Sequence, residues 1–203
     1  MRKPPKKLPV LPEVRKLLAD AARILGPLGR RYALGGAVAM ALRGVVRSTL
    51  DIDVFVAEEV RGRALSAFYK AGYRIEPVFE PFHYLARPPW KVSNAETRTD
   101  LLFPAGQPEV FGIETSRPVD LGAGLKVRTL TPLALVLGKL YSDDPRHLGD
   151  LHLMYHRGLV DEAEIEKVLR RLDPPMVGRF RKLLAGLGRK RGGVRRGVRW
   201  PRR

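Results

Sequence analysis

Apolar residues recur at Val14, Leu17, Leu18, Ala21, Ala22 and Leu25. That spacing of three and four predicts a helix over 13–29, ended by Gly26-Pro27. The period then shortens. Residues 32–56, YALGGAVAMALRGVVRSTLDIDVFV, predict a short strand, a Gly35-Gly36 turn, a small apolar helix and a second strand. Residues 58–71 predict an amphipathic helix closed by Gly72, with a strand near Tyr73–Ile75. Residues 76–97 are rich in proline and aromatics, follow neither period, and stay unassigned. Thr97–Phe103 predicts a strand carrying one acid, Asp100. Short strands are expected at Val110–Thr115 and Leu125–Arg128. From Thr131 the character changes. Thr131 is a candidate N-cap, with Pro132 at the first helical position. Further helices are expected at Pro145–His156, Asp161–Leu172 and Pro175–Leu187. The expected layout is a Lys/Pro arm (1–12), an α/β core (13–130), a helical region (131–187) and a tail (188–203).

Composition sharpens this layout at the ends. The net charge is +17, yet residues 8–173 hold 23 Lys and Arg against 21 acids. Residues 1–7 carry four basic residues, and 174–203 carry eleven, with no acid in either stretch. Basic ends suit nucleic acid or another polyanion, or they are simply solvated tails. Eight Lys/Arg broken by Gly192, Gly193 and Gly197 predict a disordered tail. No apolar run approaches the ~20 residues of a membrane span. The basic N-terminus has no apolar stretch of the kind a secretory signal needs, so a cytoplasmic protein without membrane contact is expected. Without Cys there are no disulfides and no thiolate metal sites.

The chemistry concentrates in Asp51-Ile52-Asp53. Residues i and i+2 of a strand share a face, so the two carboxylates project together while Ile52 and Val54 point the other way. Two carboxylates held close repel unless a cation lies between them, and Mg²⁺ is the simplest cation for an all-oxygen site. Gly35 and Gly36 upstream can offer bare N–H groups to a phosphate, or can be a plain tight turn. Arg47 and Thr49 stand directly ahead of the pair; Arg47 contacts substrate or pairs with an aspartate. Asp100, on its own apolar strand, is either a third metal carboxylate or a satisfied strand-end acid.

Other candidates carry less. His152 and His156 are spaced i, i+4 with His147 before them, but no acid or Cys completes a zinc pattern there. Phe79, Phe82, His83, Tyr84 and Trp90 could stack a base, although a packed irregular loop explains them better. Lys139 stands in the otherwise apolar LALVLGKLY, where a surface lysine lying along apolar neighbours is the plain reading.

Taken together, L-G-G, R-x-T-x-D-x-D in an apolar strand and a later single Asp resemble the nucleotidyltransferase superfamily related to DNA polymerase beta. Within it the chain looks most like the abortive-infection and toxin–antitoxin branch of small bacterial nucleotidyltransferases. The resemblance spans roughly 30–155 and is tightest at 34–54. It implies an α/β fold with a mixed, largely antiparallel sheet flanked by helices, followed by a helical region. It implies that Asp51, Asp53 and Asp100 hold two Mg²⁺ ions, that Gly35 and Gly36 seat phosphates, and that Arg47, Thr49 and Lys139 serve the nucleotide. Lys139 and the stretch Arg146–Asp150 resemble that branch's Lys and charged helix.

The implied reaction moves a nucleoside monophosphate from an NTP to an acceptor hydroxyl, on RNA such as tRNA or on a partner protein. A cognate toxin or antitoxin is the implied protein partner, and the basic tail favours RNA. Two departures stand out: Ala37 replaces the Ser or Thr of many relatives, and the spacer of fourteen residues from Gly36 to Asp51 is slightly long. They keep open a catalytically degenerate member that binds nucleic acid or neutralises a toxin.

Overall fold

The structure is a computed structural model. It describes residues 12–46, 49, 51–78, 89–94, 98–104, 106–122, 124–142 and 144–188. Helix α1 (Pro12–Leu25) buries the face its sequence marks, with Val14, Leu17, Leu18, Ala21, Ala22 and Leu25 all in the core. A single 3₁₀ turn at Gly26–Leu28 ends it, as Gly26-Pro27 requires. Strand β1 (Tyr32–Leu34), helix α2 (Gly36–Leu42) and strand β2 (Asp51–Val56) follow. Helix α3 (Arg61–Lys70) leads to strands β3 (Arg74–Pro77), β4 (Trp90–Ser93) and β5 (Arg98–Leu102). Helix α4 (Gln107–Thr115) precedes β6 (Arg117–Gly122), β7 (Leu125–Thr129) and α5 (Pro132–Leu140).

The strands form one seven-stranded sheet in the order β3-β4-β5-β2-β1-β7-β6. Pairs β2–β5 and β1–β7 are parallel and the other four are antiparallel, giving the mixed, largely antiparallel sheet expected. One face is the core. Ile52, Val54, Val56, Val92 and Leu101 are buried there with residues of α1 and α3. The two edges are β3 and β6, and Pro77 and Pro118 sit in them, where a missing N–H is tolerated.

Two expectations fail, for local reasons. Val110–Thr115 is the body of helix α4, not a strand. Pro108 in its first turn presets the helix, Gly112 fits closely against Leu130 and Ala134, and the Thr115 hydroxyl donates back to the Phe111 carbonyl at 2.7 Å. Strand β4 lies inside the stretch the pattern left unassigned, and β6 was not anticipated because Pro118 and Asp120 break its apolar alternation.

The chain divides into two compact units between Leu135 and Val136, within α5. The first holds the whole sheet. The second continues with α6 (Pro145–His156), α7 (Glu162–Leu172) and α8 (Met176–Gly188). Its helix starts are capped by the residue types its sequence supplies. Asp144 accepts from the Arg146 N–H at 2.8 Å, and Asp161 accepts from the Glu164 N–H at 3.0 Å. Among the described residues no helix is long and apolar enough to cross a membrane.

Candidate functional site

Strand β2 alternates as its sequence demands. Ile52, Val54 and Val56 are fully buried, while Asp51, Asp53 and Phe55 occupy the opposite, partly exposed face. The parallel pairing with β5 sets Asp51 opposite Arg98 and Asp53 opposite Asp100. Paired residues of neighbouring strands share a face, so Asp53 and Asp100 are side-by-side neighbours on the open side of the sheet. The register continues outward. Asp100 pairs with Lys91 of β4, and Lys91 with Glu76 of β3. The open face thus carries two rows, Asp53–Asp100–Lys91–Glu76 and Asp51–Arg98–Ser93–Arg74.

Hydrogen bonds fix several of these groups. The Thr49 hydroxyl donates to Asp51 Oδ1, which orients the first carboxylate. Arg98 grips Asp100 with two bonds, Nε to Oδ1 at 3.0 Å and Nη2 to Oδ2 at 2.9 Å. Asp100 is 14% exposed and Arg98 46%. The grip joins residues i and i+2 of one strand, the spacing that also unites Asp51 and Asp53.

The glycine turn closes against this pair. The Gly35 N–H donates to the Asp53 carbonyl at 2.8 Å, extending the β1–β2 ladder past the end of β1. Its amide is therefore engaged, and Gly35 contributes room: a β-carbon there would overlap the Phe55 ring. Gly36 has a φ of 56°, and a β-carbon on it would overlap the Asp53 carboxylate. Only glycine lets the start of α2 come this close to Asp53. The first intrahelical bond runs from the Ala39 N–H to the Gly35 carbonyl, so the Gly36, Ala37 and Val38 amides precede it.

Solved structures share this architecture. ANT(2'')-Ia, an antibiotic-resistance factor, aligns over 87% of this chain and 95% of its own, with TM-score 0.52 and 18% identity. Its complex with adenylyl-2''-tobramycin aligns over 83% of this chain and 97% of its own, with TM-score 0.54 and 18% identity. The fold is that of the nucleotidyltransferases. A candidate nucleotidyltransferase from Thermotoga maritima covers 80% of this chain and 93% of its own, at TM-score 0.49 and 15% identity, too loose a likeness to argue from. No family model and no curated protein matches the chain.

Asp51 and Asp53 bring only carboxylate oxygens to this face, the donor type a hard divalent cation takes. They form an all-oxygen pair on one face, with Gly36 packed directly against the Asp53 carboxylate. The third carboxylate stands apart from that arrangement. Among the described residues no group of three His, Asp or Glu side chains could hold a metal, and both Asp100 oxygens accept from Arg98. Asp100 is thus beside Asp53 in register, with its oxygens turned to an arginine.

Lys139 is not a surface lysine. It is 5% exposed, and its Nζ donates to Asp150 Oδ2 at 2.6 Å within the helical unit. Trp90 pairs with Leu101, which places it on the core face, away from the aspartates. His152 and His156 touch edge to face at 4.1 Å between ring centres. Arg47, the aromatic stretch from Phe79 to Tyr84, residues 1–11 of the arm and the tail from Arg189 lie outside the described residues.

Three residues escaped the sequence reading. Arg98 could have been found, since R-x-D repeats the i, i+2 spacing of D-x-D. Lys91 gave no signal, because its strand was unassigned. Arg43 follows α2 and donates to the Leu130 carbonyl at 3.5 Å, with burial pulling its pKa down. Its place beside the glycine turn needs the β1–β7 pairing, where the Leu130 N–H donates to the Leu34 carbonyl at 2.8 Å.

Proposed function

We propose that this protein is a nucleotidyltransferase that moves a nucleoside monophosphate from an NTP to an acceptor hydroxyl. The observation that carries the reading is the register that sets Asp53 beside Asp100, with Asp51 on the same face and Gly36 closed on the Asp53 carboxylate. That arrangement occurs on a nucleotidyltransferase fold.

In the reaction the acceptor oxygen bonds to the α-phosphorus and the α–β bridging P–O bond breaks. Pyrophosphate leaves with the bond's electron pair. Asp51 and Asp53 would hold Mg²⁺, which when bound neutralises the triphosphate and the charge on the departing oxygen. Thr49 keeps Asp51 in its rotamer. The Gly36 end of α2 seats the phosphates, with Ala37 leaving that task to backbone N–H groups rather than a hydroxyl. Asp100 takes the acceptor proton once Arg98 turns from it to the incoming phosphates. Arg47 belongs to this reading on its sequence position alone.

The acceptor we favour is RNA, for which the basic ends supply attraction. The residue pattern also suggests a toxin–antitoxin or phage-defence setting in the cytoplasm, with a cognate protein partner. Co-purification of a partner encoded by the adjacent gene would support that setting.

A second reading follows from Arg98. If its grip on Asp100 is permanent, the protein is a degenerate member that binds nucleic acid or a toxin without turnover. Titration with a non-hydrolysable ATP analogue separates the site from its absence. Binding that requires Mg²⁺ and is lost in Asp53→Asn supports a nucleotide site. Wild-type protein that binds no nucleotide with Mg²⁺ rejects it.

A further inference from the structure

We propose that the open face of β3, β4 and β5 is the acceptor platform, and that it takes an anionic nucleic-acid strand through Lys91. The proposal rests on the nucleotidyl-transfer reading and names the acceptor for that site. In an in-line displacement the attacking hydroxyl enters opposite the leaving pyrophosphate. The glycine turn abuts Asp53 from the β1–α2 side. The acceptor therefore approaches from the other side, where the sheet continues through β5 to β4 and β3. Strands lie ~4.8 Å apart, so Lys91, two strands out, stands ~10 Å from Asp53.

The charges on this platform select the class of acceptor. Glu76 is paired with Arg74, and Asp100 with Arg98. Before reaction both carboxylates of the platform are compensated by an arginine of their own strand, so β3, β4 and β5 offer an acceptor bearing amines no open counter-charge on this face. Lys91 lies between them in the row and forms no ion pair among the described residues. With the Ser93 hydroxyl in the adjacent row, and Arg74 and Arg98 balanced by Glu76 and Asp100, the platform offers a donor and the net positive charge of Lys91 beside the reacting centre. Phosphates are recognised in this way, by cations and hydroxyls that position the strand without reading its bases.

The test uses the full chain and a short fluorescent single-stranded RNA, titrated over a KCl series. Lys91→Gln is expected to weaken binding severalfold and to lower the slope of log K against log salt by about 0.7, the share of one phosphate on a single strand. Lys91→Arg should restore both. Affinity for the Mg²⁺–ATP analogue should stay at the wild-type value, since Lys91 lies outside the Asp51/Asp53 pair. An unchanged RNA affinity and salt slope in Lys91→Gln would overturn the proposal while leaving nucleotidyl transfer standing. Thermal stabilisation by spermine that grows in Lys91→Gln would also overturn it, assigning the platform to cationic acceptors. Failure of the wild type to bind the ATP analogue would instead remove the underlying reading, whatever Lys91 does.

Discussion

Gly36 bears the tightest steric demand near the site. Its φ of 56° alone disfavours an L side chain by about 1–2 kcal/mol, and a methyl group would collide with Asp53. Gly36→Ala should lower stability by at least that amount in urea unfolding and abolish Mg²⁺-dependent nucleotide binding. Gly26→Ala, where a β-carbon meets open space, should do neither. An equal loss of binding in both variants would show that the turn is not specific to the site. The shared face of Asp51 and Asp53 was legible because strand side chains alternate with a period of two. The approach of Gly36 to Asp53 was not, since it depends on a positive φ that no residue pattern states. That the Asp100 strand lies beside the Asp51/Asp53 strand was expected; the register that sets Asp100 opposite Asp53 was not legible, because it is set by partners far apart in the chain.

Elements show the same division between local and non-local information. Helices α1 and α6 to α8 follow from apolar spacing and from caps at Asp144 and Asp161. Helix α4 was misjudged because VFGI is short and apolar, and tertiary contact at Gly112 decided it. Within the helical unit, Lys139 and Asp150 form a buried pair at 6% and 3% side-chain exposure. Lys139→Met should cost roughly 3–5 kcal/mol by taking the lysine from the buried Asp150 carboxylate. Lys139→Met with Asp150→Leu should recover much of it in urea unfolding. If nucleotide affinity falls in the single variant and returns in the double, Lys139 acts through structure. If it stays low, a phosphate role stands.

His147 in the same unit gives a pH dependence. Burial first, and Lys139 second, hold its imidazole below the usual 6.5. The unfolded chain then binds that proton more readily than the folded one. The stability from His147 is complete above about pH 6.5 and is lost as pH falls through the lower folded value. The urea midpoint should fall below pH 6.5 more steeply in the wild type than in His147→Gln. Parallel curves for the two proteins would contradict this.

At the scale of the whole molecule, the excess charge and the aspartates belong to different stretches of the sequence. The excess positive charge gathers at the two ends of the chain, whereas the aspartates belong to a body whose charges nearly balance. Long-range attraction of a polyanion by the ends is therefore separable from transfer at the aspartates. The transfer itself is the central claim. The full chain, incubated with α-phosphate-labelled NTPs, Mg²⁺ and total RNA, should pass label to an acceptor. Asp51→Asn and Asp53→Asn should each abolish the labelling with melting temperatures close to that of the wild type. Labelling that survives in both variants would contradict the account.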